Sequence, residues 1–263
     1  MSQRPKNPVI ATIFWLVILF LYTPLLCVIA QSFLTDPYDW KSALTLKWLK
    51  LLLTSNTLWG PLTTSLYIGI CSASLSVALG TLGAVGLYRR SQALTPWTQT
   101  LITLPILVPE VITGLSLLLF FLLARIPLGY TTVILAHASF SASFVYFVMV
   151  EQLRKLDPQL EEAAQDLGAE PETVFWRMTL PNILPGLVGG WLLAFTLSFD
   201  DFLISFFTTG AGVTTLPLKI YSLMRIGITP ELNSLCFVLI AISTTLVGVL
   251  IAREESRQWV LKG

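Results

Sequence analysis

The sequence predicts an all-α integral membrane protein, and composition and hydropathy are the observations that predict it. Of its 263 residues 54% are hydrophobic and 12% are charged, and the mean hydropathy is +0.76. The charged fraction is about half that of globular domains. The net charge of +1 excludes the strongly basic surface that nucleic-acid binding requires. We therefore expect one transmembrane domain over residues 1–263, in contact with lipid.

Six apolar blocks are long enough to cross a bilayer, for which a helix needs about 20 residues. The first block is longer than the apolar core of a cleaved signal sequence, so we expect it to be retained. Ten Lys and Arg flank these blocks on the inner side and six on the outer side if the N-terminus is inside. This bias predicts cytoplasmic N- and C-termini. We place the spans at residues 9–33, 61–88, 98–124, 129–150, 183–208 and 235–252.

Small side chains recur every four residues in the second span and would lie on one helix face. Such a face lets a second backbone approach closely. Gly186 and Gly190 repeat the spacing near the start of the fifth span. The pattern predicts a closely packed helical bundle. In the second span the residues are Ser72, Ser76, Gly80 and Ala84.

The third span contains Pro105 and Pro109, directly followed by Glu110. Proline lacks the backbone N–H and its ring clashes with the preceding turn, so a helix cannot run straight through this segment. An ionisable residue at this depth costs about 2.5–3.5 kcal/mol on insertion scales. We therefore expect a broken helix whose acid faces water or a polar partner.

The fifth span carries a second embedded acidic site, Asp200 and Asp201. Neighbouring residues on a helix point about 100° apart, so at most one of the two carboxylates faces a central pathway squarely. Two interpretations stay open: the embedded acids line a path for a cation, or they are structural and are held by hydroxyls, backbone donors or a subunit partner. We favour the cation path. His137 lies alone in the fourth span, and we expect it to be packed and hydrogen-bonded.

The loop between the fourth and fifth spans, residues 151–181, holds seven of the 15 acidic residues of the chain. Asp157 before Pro158 predicts a helix start, because aspartate caps the first N–H groups and proline fits the first turn. Gly168 predicts the helix end. Pro171 predicts the start of a second helix. We expect two short helices joined at the glycine to project into the cytoplasm.

This loop resembles the EAA loop of the membrane subunits of bacterial ABC importers, Glu-Ala-Ala-x3-Gly-x9-Ile-x-Leu-Pro. The chain departs from that pattern at one position, where Met178 replaces isoleucine by an apolar residue of similar size. No P-loop motif for binding ATP occurs in the sequence. The resemblance implies contact with a separate ATPase through Glu161, Glu162, Ala163, Ala164, Asp166, Gly168, Ala169, Leu180 and Pro181.

Residues 104–117, 198–202, 215–222 and 227–233 are similar to the spermidine/putrescine permease branch of these importers. The resemblance implies a type I importer bundle in the bacterial inner membrane, a transport subunit that is not itself an enzyme. It also implies a second permease, an extracytoplasmic binding protein, and two ATPases that hold ATP and Mg, with no cofactor or metal in this chain. Candidate contacts for a cation are Glu110, Asp200, Asp201 and the aromatic residues Phe199, Tyr221 and Trp191.

Other functions compatible with the sequence differ in solute or in energy source. Permeases for ferric ion or aminoethylphosphonate share much of this scaffold. An ion-coupled secondary transporter would also carry embedded acids, although the loop pattern argues against it. An intramembrane metalloenzyme that combines His137 with the acids is the least favoured, since no local spacing of metal ligands supports it.

Overall fold

The structure is a computed structural model that describes residues 8–36, 39–54, 56–88, 96–227, 230 and 232–245. Throughout these residues the regular structure is helical, apart from one isolated bridge between Leu34 and Leu44. The predicted all-α class is confirmed. In chain order the helices are α1 (Pro8–Gln31), α2 (Lys47–Thr54), α3 (Asn56–Tyr88), α4 (Pro96–Leu107), α5 (Glu110–Leu123), α6 (Tyr130–Leu153), α7 (Pro158–Asp166), α8 (Pro171–Val174), α9 (Leu180–Phe199), α10 (Leu203–Thr208), α11 (Leu216–Ile226) and α12 (Leu232–Thr245).

Apolar helical segments occupy each predicted span. Helices α4 and α5 form one bent apolar pair, and α12 is an apolar helix of shorter length. The predicted cytoplasmic termini and the end of the sixth span fall in residues 1–7 and 246–263, outside the described part of the chain. The six-span topology therefore stays a prediction. Four stretches are each long enough to cross a bilayer: Pro8–Gln31, Leu58–Leu87, Tyr130–Leu153 and Pro171–Phe199.

The chain divides into two compact units. The central unit is Thr57–Lys219, and the terminal unit combines the residues up to Asn56 with those from Ile220 onward. In the terminal unit, the rings of Phe33 and Phe237 meet edge to face with centroids 4.9 Å apart. This contact joins the segment after α1 to α12.

Helix α6 is the core of the central unit. Half of its 24 residues are buried, and it contacts α4, α5, α9 and α10. It also approaches the backbone of α3 closely: a Cβ at Gly80 would lie 2.8 Å from the Ala142 oxygen and 2.9 Å from the Tyr146 nitrogen. A Cβ at Gly186 in α9 would lie 2.8 Å from the Gln152 side chain. The predicted small-residue packing faces are confirmed.

The third apolar segment is broken, as its prolines predict. Helix α4 includes Pro105 and ends at Leu107, and α5 begins at Glu110 with its axis bent by 112° from that of α4. The break lies at Pro109, whose carbonyl accepts the N–H groups of Ile112 and Thr113 at 2.9 and 3.1 Å. Only the second proline interrupts the helix. Glu110 is thereby placed in the first turn of α5.

The fifth apolar segment differs from the prediction at both ends. Pro171 starts one helical stretch that passes through a π-helical turn, Phe175–Thr179, and continues as α9 to Phe199. The second short helix predicted for the loop is therefore the beginning of the membrane helix. Pro181 has no backbone N–H to donate. It is the second residue after the π-helical turn, in which wider hydrogen bonds replace the regular α-helical ones. At the other end, α10 is a separate helix rather than the end of a continuous span.

Candidate functional site

The acidic loop begins with the helix α7, as predicted. The Asp157 carboxylate accepts the Gln159 N–H at 3.0 Å, and Pro158 occupies the first turn. These contacts satisfy an N–H group that the first helical turn leaves without a partner. Because Asp157 and Pro158 act on their nearest neighbours in the chain, the start of α7 could be predicted from the local sequence.

Gly168 ends α7 in the left-handed conformation, with φ of +87°. Its N–H donates to the Gln165 oxygen at 2.8 Å, and the Ala169 N–H donates to the Ala164 oxygen at 3.1 Å. This pair of bonds is a Schellman motif, which satisfies the last carbonyl groups of a helix. The predicted helix end is confirmed. Space beyond Gly168 is open, since no atom lies within 4 Å of a Cβ built there.

A side-chain hydrogen bond joins α7 to the long helix. The Thr179 hydroxyl donates to the Glu161 carboxylate at 2.5 Å. Thr179 is buried and is the last residue of the π-helical turn, immediately before Leu180 at the start of α9. Leu180 packs against the hydrophobic core of the central unit. The predicted coupling segment is therefore connected to the helix bundle at this point.

The outer surface of the loop combines acids with an apolar residue that the sequence analysis overlooked. Ala163, Asp166 and Pro181 are exposed, and Ala164 and Ala169 are half-buried. Leu167, between Asp166 and the terminal glycine, is 89% exposed. A leucine before a glycine at a helix end is an ordinary pattern, so only its exposure marks it as available to a partner.

The two aspartates after α9 lie in different environments. Asp200 is exposed, whereas the Asp201 side chain is 7% exposed. The Asp201 carboxylate accepts the N–H groups of Ile204 at 3.3 Å and Ser205 at 2.7 Å. It thus caps α10 and explains why the helix restarts there. The predicted divergence of the adjacent carboxylates is observed.

His137 connects this cap to the centre of the bundle. The side chain is buried in α6, where Nε2 lies 3.1 Å from both the Asp201 carboxylate and the Ser205 hydroxyl. Nδ1 lies 2.6 Å from the Ser198 hydroxyl, and the Ser72 hydroxyl donates to that oxygen at 2.9 Å. The expectation of a packed, hydrogen-bonded histidine is confirmed. We name these five residues the histidine cluster.

Glu110 lies near the aspartates without being buried. Helices α5 and α10 pack together, and a Cβ at Gly114, one turn beyond Glu110, would lie 3.3 Å from the Ile204 Cα. The Glu110 side chain is exposed and lies within electrostatic range of both aspartates. The structure therefore brings together the three acids that the sequence places 90 residues apart.

Three aromatic rings form a column along α9 that ends next to Asp200. Trp191 stacks on Phe195 with centroids 5.3 Å apart, and Phe195 stacks on Phe199 at 5.7 Å. Two of these were predicted, and the missed Phe195 lies between them at helical spacing. Tyr221 belongs to the terminal unit, where the Arg225 guanidinium lies 4.7 Å from its ring centroid and donates to its hydroxyl at 2.6 Å.

The sequence matches one protein family over residues 76–253, described as binding-protein-dependent transport system inner membrane component. It is 39% identical to the putrescine transport system permease protein PotI of Escherichia coli K12, over 91% of this chain and 89% of that protein. It is 34% identical to the spermidine/putrescine transport system permease protein PotC of the same strain, over 90% of this chain and 91% of that protein. The PotC homolog of Mycoplasma genitalium is 30% identical, over 100% of this chain and 98% of that protein.

Solved structures show the same fold at low sequence identity. A bacterial ABC transporter that imports the polysaccharide alginate is 12% identical, with a TM-score of 0.69 over 97% of this chain and 99% of that chain. The alginate transporter in complex with its pentasaccharide-bound periplasmic protein has a TM-score of 0.64 at 20% identity, over 95% and 92%. An amino acid ABC transporter has a TM-score of 0.57 at 17% identity, over 81% of this chain and 100% of that chain.

Proposed function

The chain belongs to the family of binding-protein-dependent transport system inner membrane components, and we propose that it is the permease subunit through which an ATP-driven importer carries a polyamine. The observation that carries the solute class is the pair of relatives named for putrescine and spermidine, each matched over about nine-tenths of this chain. Exposed carboxylates at the two helix breaks agree with a cationic solute. Acidic residues within membrane segments often mark the pathways of ions and charged substrates.

We propose the bacterial inner membrane as its location, with six spans and both termini in the cytoplasm. The name of the matched family and the apolar helices at each predicted span support this arrangement. The excess of Lys and Arg on the inner side orients it.

Energy would come from two ATPase subunits that bind ATP and Mg outside this chain. We propose that α7 docks on one of them through its exposed side and Leu167, and that the acids of the loop face basic groups on the ATPase. The bond between Glu161 and Thr179 would carry the displacement of α7 to α9. A second permease would complete the pathway, and a periplasmic protein like the one bound to the alginate transporter would deliver the solute.

Along the pathway, we propose that Glu110 and Asp200 contact the ammonium groups. Both are exposed in apolar segments, and an ionised carboxylate against lipid is costly, so water or a partner subunit must face them. Phe199 and Trp191 would add cation–π contacts from the aromatic column. Tyr221 would take part only after Arg225 leaves its ring, which makes it the weaker candidate.

Uptake by the assembled transporter in vesicles tests the proposal. Labelled putrescine should enter only with ATP and binding protein, and unlabelled spermidine should compete, whereas ferric ion and aminoethylphosphonate should not. Competition by either of these instead would assign a different solute to the same scaffold. Uptake that continues without ATP and stops when the proton gradient is collapsed would show a secondary transporter.

A further inference from the structure

The histidine cluster suggests separate tasks for the two adjacent aspartates. We infer that His137 is a positioning residue for transport, which holds Asp201 inside the bundle as the cap of α10 and so leaves Asp200 as the carboxylate open to the solute. The inference rests on the proposed function, since it states which of the predicted acids a cation can reach. It removes Asp201 from the solute path.

Three donors inside the bundle already face the Asp201 carboxylate, whose side chain is 7% exposed. One oxygen accepts the Ile204 N–H, and the other accepts the Ser205 N–H and faces His137 Nε2. A buried carboxylate is stable only when such donors replace its water. A solute would therefore have to reach a carboxylate that is both buried and already hydrogen-bonded.

His137 contacts both sides of the helix break. Ser198 lies in the last turn of α9, and Ser205 lies in the first turn of α10, with Asp200 between them in sequence. Nδ1 faces the first hydroxyl and Nε2 faces the second. One imidazole ring therefore fixes how far the two helix ends can separate and which way the connecting residues turn.

Each hydrogen bond of the histidine cluster, from Ser72 to Asp201, can be assigned a donor and an acceptor. Because the Ser72 hydroxyl donates to the Ser198 oxygen, the Ser198 hydrogen is available to Nδ1. In the matching tautomer, Nδ1 accepts from Ser198, and the hydrogen on Nε2 lies between the Asp201 carboxylate and the Ser205 oxygen. A hydrogen bond from a ring N–H to a carboxylate is charge-assisted.

The far end of α10 is also attached to α6 and to the segment before it. The Thr132 hydroxyl donates to the Thr208 oxygen at 2.9 Å, and a Cβ at Gly210 would lie 2.0 Å from the Leu128 oxygen. Since α10 is held at both ends and packs on α5, loss of the His137 contact would alter the position of Glu110 as well.

Two amide substitutions separate this positioning role from simple filling of space. In His137→Gln the amide nitrogen reaches about as far as Nε2 and can still donate to Asp201, whereas in His137→Asn it reaches only as far as Nδ1. We expect His137→Asn to raise the KM for putrescine uptake about tenfold, the effect of losing one hydrogen bond to a charged group. His137→Gln should stay within about threefold of the unmodified transporter. Equal KM values for the two variants would overturn the inference.

Chemical modification at position 200 gives a readout that needs no solute. In a chain with Cys27, Cys71 and Cys236 replaced by alanine, Asp200→Cys should react with a water-soluble cationic thiol reagent. Adding His137→Asn should slow this reaction, because Asp201 without its partner turns towards water and residue 200 turns inward. Adding His137→Gln should not.

Ser141→Ala is the matched control, because Ser141 is buried on α6 and its hydroxyl has no hydrogen-bond partner among the described residues. It should change neither KM nor the labelling rate. Labelling rates that are equal in all backgrounds overturn the inference even if putrescine is transported. If labelling follows the expected order but the transporter with Asp200 intact does not carry putrescine, the proposed function alone is refuted.

Discussion

Replacing Gly168 by alanine would test the coupling helix with a perturbation of known size. No atom lies within 4 Å of the added Cβ, so the change introduces no clash. The remaining penalty is the backbone conformation, since φ of +87° costs an L-residue about 1–2 kcal/mol. Gly168→Asp would add about 0.3–1 kcal/mol, because a negative charge is unfavourable at a helix C-terminus.

A penalty of 1–2 kcal/mol reduces the population of the native helix end by about 5- to 30-fold relative to alternatives. We expect normal amounts of both variants in the membrane, because Gly168 is exposed and the space around it is open. Copurification of the ATPase and ATP-dependent uptake should fall, more for aspartate than for alanine. Gly168→Asn should retain more activity than either, since asparagine adopts this conformation more readily.

Gly86→Ala is the matched control, because Gly86 also has open space around it but lies within the regular helix α3. Alanine should be neutral or stabilising there. Uptake and ATPase association that remain normal in Gly168→Asp would refute the reasoning, since the glycine would then have no part in coupling.

Three further predictions concern coupling, solute contact and packing. Thr179→Val keeps the side-chain volume but removes the bond to α7, and vesicles should show ATP hydrolysis with several-fold lower uptake; unchanged uptake per ATP would contradict the link. Asp200→Asn and Glu110→Gln should each lower putrescine uptake while assembly and basal ATP hydrolysis persist; loss of assembly would instead indicate a structural role. Gly80→Ala should destabilise the bundle by about 1–3 kcal/mol in thermal unfolding in detergent, because backbone atoms of α6 lie within 3 Å of the new Cβ; an unfolding temperature equal to that of Gly86→Ala would refute this.

Local chemistry made part of the structure predictable from the sequence. Asp157 and Gly168 define the ends of α7 through contacts within a few residues, and Pro109 breaks the third segment by removing one N–H group. Small residues at four-residue spacing predicted the packing face of α3, because each residue type has a known side-chain size. Each of these features depends on a residue and its near neighbours along the chain.

Contacts between distant residues could not be predicted in the same way. The sequence analysis predicted that the carboxylates of Asp200 and Asp201 point apart but not which of them is buried. The contact of Asp201 with His137, more than 60 residues earlier, distinguishes them. The start of α10 had one local signal, an aspartate four residues before Ser205, which the high hydrophobicity of the span obscured. The continuation of the helix through Pro181 was missed because a proline usually marks a boundary, whereas here a π-helical turn precedes it.

The helical stretch from Pro171 to Phe199 is continuous along its length and connects α7 with the region of Asp200. Its 29 residues extend about 43 Å at 1.5 Å per residue. Near its first turns it is bonded to α7, and its last residue adjoins Asp200. If the stretch moves as one body, a small tilt of its first turns moves the far end through a proportionate arc. Under the proposed coupling, displacement of α7 and opening of the pathway at Asp200 would be parts of one rigid-body motion.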